Sequence, residues 1–159
     1  MRGNRSLMGA LITTTALSGL VFAASPSIGH QHGSKGCKNE RAYTAVIQGY
    51  LDAMENHSVS DIEKLFTEDA VVVSTSVGNA DAVAFYKKFF PEIKSAKTTL
   101  LETYRSTTKP NLYGASFIFT FTTHNGASEG GAYVDEFYFD SKSCNLKKVV
   151  MYENMKTGL

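Results

Sequence analysis

Apolar residues recur three or four positions apart in three segments of the chain, a spacing typical of one face of a helix. The three stripes comprise Tyr43, Val46, Ile47, Tyr50, Leu51 and Met54, then Ile62, Leu65 and Phe66, and finally Ala82, Phe85, Tyr86, Phe89 and Phe90. Turn residues at 56–58 end the first predicted helix, and Pro91 ends the third. Ser60 and Glu63 have the spacing of a capping box, which predicts that the second helix begins there.

The remaining segments are rich in β-branched and aromatic residues. Residues 70–73 are too few and too β-branched for a helix, so they are predicted to form the first strand. Four further strands are predicted over 98–106, 113–123, 132–139 and 146–153, with connections that favour antiparallel hairpins. The order is therefore helix, helix, strand, helix and four strands. Helices gathered on one face of a mostly antiparallel sheet predict an α+β domain.

The first 23 residues have the three-part layout of a secretory signal. Arg2 and Arg5 precede an uncharged, mostly apolar run over 7–22, and small residues stand where a signal peptidase reads the chain. We predict cleavage after Ala23. An uncleaved membrane anchor is the alternative, but the run is short for a span of about 20 residues and is diluted by hydroxyl side chains.

The rest of the 159-residue chain divides in two. We predict a flexible lead-in over 24–38, where residues are small and polar, and a single domain over 39–159. His30 and His32 in the lead-in could bind a metal weakly, but no third ligand is fixed nearby, and we predict no metal site. The exported chain would be periplasmic or secreted.

The predicted mature chain is nearly neutral. Loss of Arg2 and Arg5 takes the 16 basic residues to 14 against 15 acidic ones, a net charge of −1. Nucleic acids and anionic membranes are bound through a basic face, and the mixed charges of this sequence offer none. We therefore expect no nucleic-acid partner, and no membrane contact once the signal is cleaved.

Cys37 and Cys144 are the only two cysteines, and both lie in the predicted exported part. In an oxidising compartment such a pair is most simply one disulfide, because no CxxC spacing indicates a metal or redox role. The predicted bond ties the segment before the first helix to the turn before the last strand. Closing a loop of about 100 residues can stabilise a domain by about 4 to 5 kcal/mol.

The order of elements and one run of residues resemble the nuclear-transport-factor-2-like superfamily, which includes the SnoaL-like polyketide cyclases. The run is Asp61-Ile62, Leu65-Phe66 and Asp69-Ala70-Val71-Val72-Val73, which looks like that superfamily's second helix leading into its first strand. The resemblance implies a cystatin-like fold, in which a cone-shaped, curved, mostly antiparallel sheet and three helices enclose a pocket. It implies no single function, because this fold carries enzymes, binding proteins and interaction modules.

Ketosteroid isomerase, a member of that superfamily, permits a sharper comparison. Its oxyanion-hole tyrosine matches Tyr50, and its protonated aspartic acid matches Asp135, which opens the run Asp135-Glu136-Phe137-Tyr138-Phe139. An enolate requires two such donors aimed at one oxygen, away from water. The isomerase's catalytic base falls on Ser74, and a serine cannot accept a carbon-bound proton near neutral pH. The resemblance therefore implies two hydrogen-bond donors for an oxyanion but no catalytic base.

Several side chains could line the pocket that this resemblance implies. The candidates for ligand binding are Tyr50, Ser74, Phe85, Phe89, Tyr133 and Asp135. The aromatic members could hold a flat apolar molecule or simply fill the core, and Asp135 could be a pocket acid or a structural hydrogen-bonding group. His124 is either a turn residue or a substitute base that reaches over the pocket mouth. No cofactor is expected.

Three functions follow from these residues. The first is an exported pocket protein that binds a small, largely apolar molecule whose carbonyl or hydroxyl group is held by Tyr50 and Asp135. The second is an isomerase or lyase that acts on such a molecule by acid–base chemistry with the same two residues. The third is an interaction module in which the outer face of the sheet pairs two subunits. The resemblance implies a homodimer.

Overall fold

The structure is a computed structural model that describes residue 37 and residues 39–155. The predicted signal peptide, and the lead-in apart from Cys37, lie outside the described residues. The described chain forms the helices α1 Glu40–Glu55, α2 Val59–Leu65 and α3 Ala82–Phe89, and the strands β1 Phe66–Ser74, β2 Gly78–Asp81, β3 Ile93–Arg105, β4 Leu112–Thr123, β5 Ser128–Phe139 and β6 Leu146–Met155. A 3-10 turn over Phe90–Glu92 follows α3, where Pro91 supplies no backbone donor.

The predicted order of elements is confirmed, with the addition of β2. This strand was missed because its four residues, Gly78 to Asp81, lack an alternation of apolar and polar positions. It forms because its backbone pairs antiparallel with β1, from Ser74 opposite Gly78 to Val71 opposite Asp81. Backbone hydrogen bonding to β1 therefore creates a strand that the pattern of side chains does not predict.

The predicted start of α2 at Ser60 is wrong. The helix begins earlier, because Ser58 is its N-cap and accepts a hydrogen bond from the backbone N–H of Asp61 at 3.3 Å. The Ser58 hydroxyl also donates to the Asp61 carboxylate at 2.6 Å. Ser58 and Asp61 therefore bond each other at the start of the helix, where Ser60 and Glu63 were expected to do so. The helix can start so soon because His57 has a left-handed φ of 52°, which reverses the chain directly after α1.

The six strands form one sheet in the order β2-β1-β6-β5-β4-β3. The pair β1–β6 is parallel, and all other neighbouring pairs are antiparallel. Among the helices, α1 packs against β3 and α3 packs against β1. The expected α+β architecture, with a mostly antiparallel sheet, is therefore confirmed.

The core lies between these helices and one face of the sheet. Alternate residues of β4 and β5 point into it, namely Tyr113, Ala115, Phe117 and Phe119 on β4 and Asp135, Phe137 and Phe139 on β5. This is the period of two expected for a sheet with one covered face. Asp135, which is 2% exposed, is the one buried polar or charged residue in the described part of the chain.

The predicted disulfide between Cys37 and Cys144 is present, with a Cα–Cα distance of 4.8 Å. Cys144 lies in the β5–β6 turn, where the Asp140 carboxylate accepts backbone N–H bonds from Lys142 and Ser143. The bond joins residues 107 positions apart and so anchors the chain just before α1 to the far end of the sheet. None of the helices that the structure describes is long and apolar enough to cross a membrane.

Loss of this disulfide is expected to destabilise the domain strongly. Replacing both cysteines, Cys37→Ser with Cys144→Ser, should lower the free energy of unfolding by about 4 kcal/mol, because the unfolded chain regains the freedom of the closed loop. Urea denaturation measures this change. Reductant should destabilise the wild type to the level of the double variant and leave the variant itself unaffected. Equal stability of the oxidised wild type and the double variant would contradict the stabilising role.

Candidate functional site

A large cavity opens between the helices and the inner face of the sheet. Its volume is about 1610 Å³, which exceeds the roughly 300–1,000 Å³ of ordinary small-molecule sites. Its lining is buried at one end, which we call the deep end, and exposed at the other, which we call the mouth. The deep end comprises Tyr50, Tyr86 and Asp135, and the exposed residues of the mouth include Thr75, Ser76, Val77, Lys88, Ser128 and Glu129.

Aromatic rings form two walls between these ends. On α3, Phe85 and Phe89 share one side because they are four positions apart, and their ring centroids are 5.9 Å apart. On the sheet, Phe117 of β4 lies directly opposite Tyr133 of β5, and the two rings stack at 5.8 Å. The walls meet where Phe89 lies edge-on to Phe121 at 5.5 Å. Such walls offer mainly stacking and apolar contact.

Three elements bring hydrogen-bonding groups together at the deep end. Tyr50 comes from the buried stripe of α1, Tyr86 from that of α3, and Asp135 from the inner face of β5. The hydroxyls of Tyr50 and Tyr86 lie 2.7 Å apart, and both side chains are fully buried. Asp135 Oδ1 is buried and has no hydrogen-bond partner within the described residues. The deep end therefore holds a paired tyrosine next to a carboxyl group with one free oxygen.

Burial controls the ionisation of these three groups. It raises the pKa of Asp135 to about 8, although hydrogen bonds from the Tyr152 backbone and the Tyr50 side chain lower the pKa in part. Burial likewise raises the pKa of Tyr50 and of Tyr86 well above 10.0. At neutral pH the deep end is consequently uncharged for most of the time, with Asp135 a neutral acid that can donate one hydrogen bond.

All six ligand-binding candidates lie on the cavity wall: Tyr50, Ser74, Phe85, Phe89, Tyr133 and Asp135. Their part in binding remains a prediction. Ser74 differs from the others, because its hydroxyl lies 3.1 Å from the Ser76 hydroxyl and accepts the Val77 backbone N–H at 3.2 Å. These bonds hold the Ser74 hydroxyl in the β1–β2 turn.

Tyr86 is a site residue that the sequence interpretation missed, having placed it only in an apolar helical stripe. The available signal was its hydroxyl, since a buried tyrosine on a core-facing stripe needs a polar partner. His124 was considered as a substitute base, but it is exposed, is not part of the cavity wall, and donates its backbone N–H to the Glu92 carbonyl. It lies close enough to His57 to lower the pKa of that imidazole, which burial lowers more.

In the part of the chain that the structure describes, no group of three or more His, Cys, Asp or Glu side chains could hold a metal ion. The cavity wall includes three acidic residues, and one of them, Asp81, already accepts the backbone N–H of Ala84 as the N-cap of α3 at 2.7 Å.

No model of a protein family matches this sequence, and no curated protein matches it. Solved structures do match in three dimensions. An NTF2-like protein of unknown function from an Exiguobacterium species superposes with a TM-score of 0.60 and 11% identity, over 70% of this chain and 99% of that one. The domain described above has the NTF2-like fold.

Two further solved structures match to a similar extent. The pinacolase BvnE from Penicillium brevicompactum matches with a TM-score of 0.60 and 12% identity, over 70% of this chain and 84% of its own. A Mycobacterium tuberculosis protein in complex with estradiol-17beta-hemisuccinate matches with a TM-score of 0.59 and 16% identity, over 72% and 95% of the two chains. At these identities the likeness establishes the NTF2-like fold alone.

The raised pKa of Asp135 predicts an unusual dependence of stability on pH. The native state keeps a proton on Asp135 that the unfolded chain releases near pH 3.8, so stability present below that pH is lost as pH rises towards about 8. This one group should lower the free energy of unfolding by up to about 1.4 kcal/mol per pH unit in that window. Asp135→Asn, which mimics the neutral acid, should lack this loss.

Urea denaturation of both proteins at a series of pH values measures the effect. The stability of Asp135→Asn relative to wild type should increase steadily between pH 4 and pH 8, because Asp135 is ionised in the unfolded wild-type chain and protonated in the native one. Taking the difference between the two proteins removes the contributions of all other titrating groups. A difference that does not change with pH would show that Asp135 titrates normally.

Proposed function

We propose that this protein is exported to the periplasm or the cell exterior and binds a small, largely apolar molecule through its carbonyl or hydroxyl group. The observation that carries the proposal is the free Oδ1 of Asp135, buried beside Tyr50 in an aromatic cavity. An unpaired buried polar atom is costly, and a ligand oxygen or hydroxyl would satisfy it.

The walls and the deep end suit different parts of such a ligand. The rings of Phe85, Phe89, Phe117 and Tyr133 would contact a flat apolar body. The neutral Asp135 would donate a hydrogen bond to its oxygen. The Tyr50 hydroxyl has a single proton, which would turn from Asp135 to the same ligand oxygen while Tyr50 accepts a hydrogen bond from Tyr86. The steroid-derived ligand of the Mycobacterium tuberculosis structure supports the view that this fold accommodates molecules of this size and kind.

Export is supported by two independent features. The first 23 residues have the composition of a signal peptide, and the Cys37–Cys144 disulfide is of the kind that persists in oxidising compartments.

A pair of polycyclic probes tests the proposed ligand class. Fluorenone and fluorene share a flat ring system and differ by one carbonyl oxygen. We expect fluorenone to bind the wild type and raise its melting temperature, and Tyr50→Phe to weaken fluorenone binding about fivefold through loss of one hydrogen bond. Affinity for fluorene should not change. Thermal shift and calorimetry measure these quantities.

Tyr113→Phe provides a matched control, because Tyr113 is a buried tyrosine that does not line the cavity. It should leave both affinities unaltered. Fluorenone and fluorene binding with equal affinity to wild type and to Tyr50→Phe would contradict a carbonyl contact. Absence of binding by either compound would contradict the proposed cavity function.

Catalysis by an isomerase or lyase is the second candidate. Its support is the pKa of about 8, because an acid with this value can take up and return a proton near neutral pH. Among the described residues no histidine lines the cavity, and Asp135 would act as the acid–base group itself, with Tyr50 as an oxyanion donor. Chemical conversion of a bound ketone that disappears in Asp135→Ala would favour an enzyme over a binding protein.

The outer face of the sheet, opposite the cavity, supports the proposal of a homodimer. Val134 and Tyr152 are cross-strand neighbours on β5 and β6, and each side chain is 47% exposed. Tyr104 is 46% exposed and hydrogen-bonds Ser116, the residue opposite Val134 on the other side. Contiguous exposed apolar and aromatic side chains of this kind commonly mark an interface.

Introduction of a charge on this face tests the dimer. Val134→Glu should convert a dimer into a folded monomer, because the carboxylate would be buried against its symmetry mate. Light scattering gives the mass, and a thermal melt verifies that the variant is folded. A wild type that is monomeric at working concentration would overturn the proposal.

A further inference from the structure

Two consecutive lysines of α3 have different environments. Lys87 points towards α2 and forms an ion pair with Glu63, with Nζ 2.8 Å from Oε1. Lys88 lies one position further along and lines the cavity together with Phe85 and Phe89. It pairs with no acid among the described residues. Helical geometry therefore directs one lysine to a structural contact and the next to the cavity mouth.

Of the described residues on the cavity wall, Lys88 is the one with a basic side chain. Two acids share the mouth with it, Asp81 and Glu129. The Asp81 carboxylate is committed to the N-terminus of α3, where it accepts the Ala84 N–H. Glu129 is on β5, opposite Phe121 of β4, and is exposed to solvent. The Lys88 ammonium group thus lies on the α3 wall of the cavity and forms no ion pair with either carboxylate.

The size and polarity of the cavity favour a ligand with two different ends. The side chains of the deep end are buried, aromatic or neutral, so an ionised group there would lose most of its hydration without meeting a counter-charge. At the mouth the same group would stay partly hydrated and could meet an ammonium on a long, adaptable stem. A cavity of about 1610 Å³ is large enough for a ligand that reaches both ends.

We propose that the ligand is an elongated anion, whose carboxylate, sulfonate or phosphate is received by Lys88 at the mouth while its apolar body lies between the aromatic walls. This inference rests on the proposed binding function and specifies the charge of the ligand. Lys88 is then a residue that selects among apolar molecules by the charge of their outer end.

Two fluorescent probes that differ by one anionic group test the inference. Anilinonaphthalene sulfonate carries a sulfonate on the ring system of N-phenylnaphthylamine, which is neutral. Lys88→Met should weaken sulfonate binding about three- to fivefold, the effect of a partly exposed ion pair, and leave binding of the neutral probe unchanged. Salt should weaken sulfonate binding to the wild type and have little effect on Lys88→Met.

Lys87→Met is the matched control, since it removes the same charge from the same helix outside the cavity. It should alter neither affinity. Equal losses of sulfonate binding in both variants would show that the net charge of the protein, and not a contact with Lys88, determines the affinity, and would overturn the role of Lys88. Unchanged sulfonate binding in Lys88→Met would overturn it as well. If fluorenone binds and neither fluorescent probe does, the anion subsite is wrong and the proposed function stands. If none of the three binds, both fail.

Discussion

The burial of one carboxyl group in an aromatic interior is the constraint on which this site depends. An ionised Asp135 would be left with little hydration and no cation, so burial shifts its ionisation until the neutral acid prevails. That neutral acid needs polar neighbours, which Tyr50 and the Tyr152 backbone supply, and Tyr86 in turn satisfies Tyr50. A chain of hydrogen bonds is thereby built across four elements, α1, α3, β5 and β6.

This chain of hydrogen bonds leaves one polar atom of Asp135 without a partner. Asp135 Oδ1 remains without a partner, and the space beside it belongs to a cavity instead of packed side chains. A protein pays for such an unpaired atom in stability, and unsatisfied groups of this kind cluster where ligands bind. Charges are confined to the opposite end, where water reaches Lys88 and Glu129. The cavity therefore combines a neutral end that can form directed hydrogen bonds with a hydrated end that carries charged side chains.

Prediction from the sequence succeeded where side-chain pattern decides structure and failed where backbone pairing or distant contacts decide it. In β5, Asp135 shares the buried face with Phe137 and Phe139 because side chains alternate along a strand, a pattern that is visible in the sequence. The strand β2 carries no such pattern and exists through its pairing with β1. The cap of α2 was misplaced because Ser58 and Ser60 are chemically equivalent, and only the left-handed turn at His57 distinguishes them.

By itself, the sequence determined the helical stripes, the α+β order, the cysteine pair and the candidate residues Tyr50 and Asp135. Only the tertiary structure decided that Tyr86 completes the pair, that His124 lies away from the cavity, and that a large space separates the helices from the sheet. The reason is physical: local pattern specifies which face of an element is buried. Distances between faces of different elements, and hence hydrogen bonds, voids and ionisation, depend on how those elements pack.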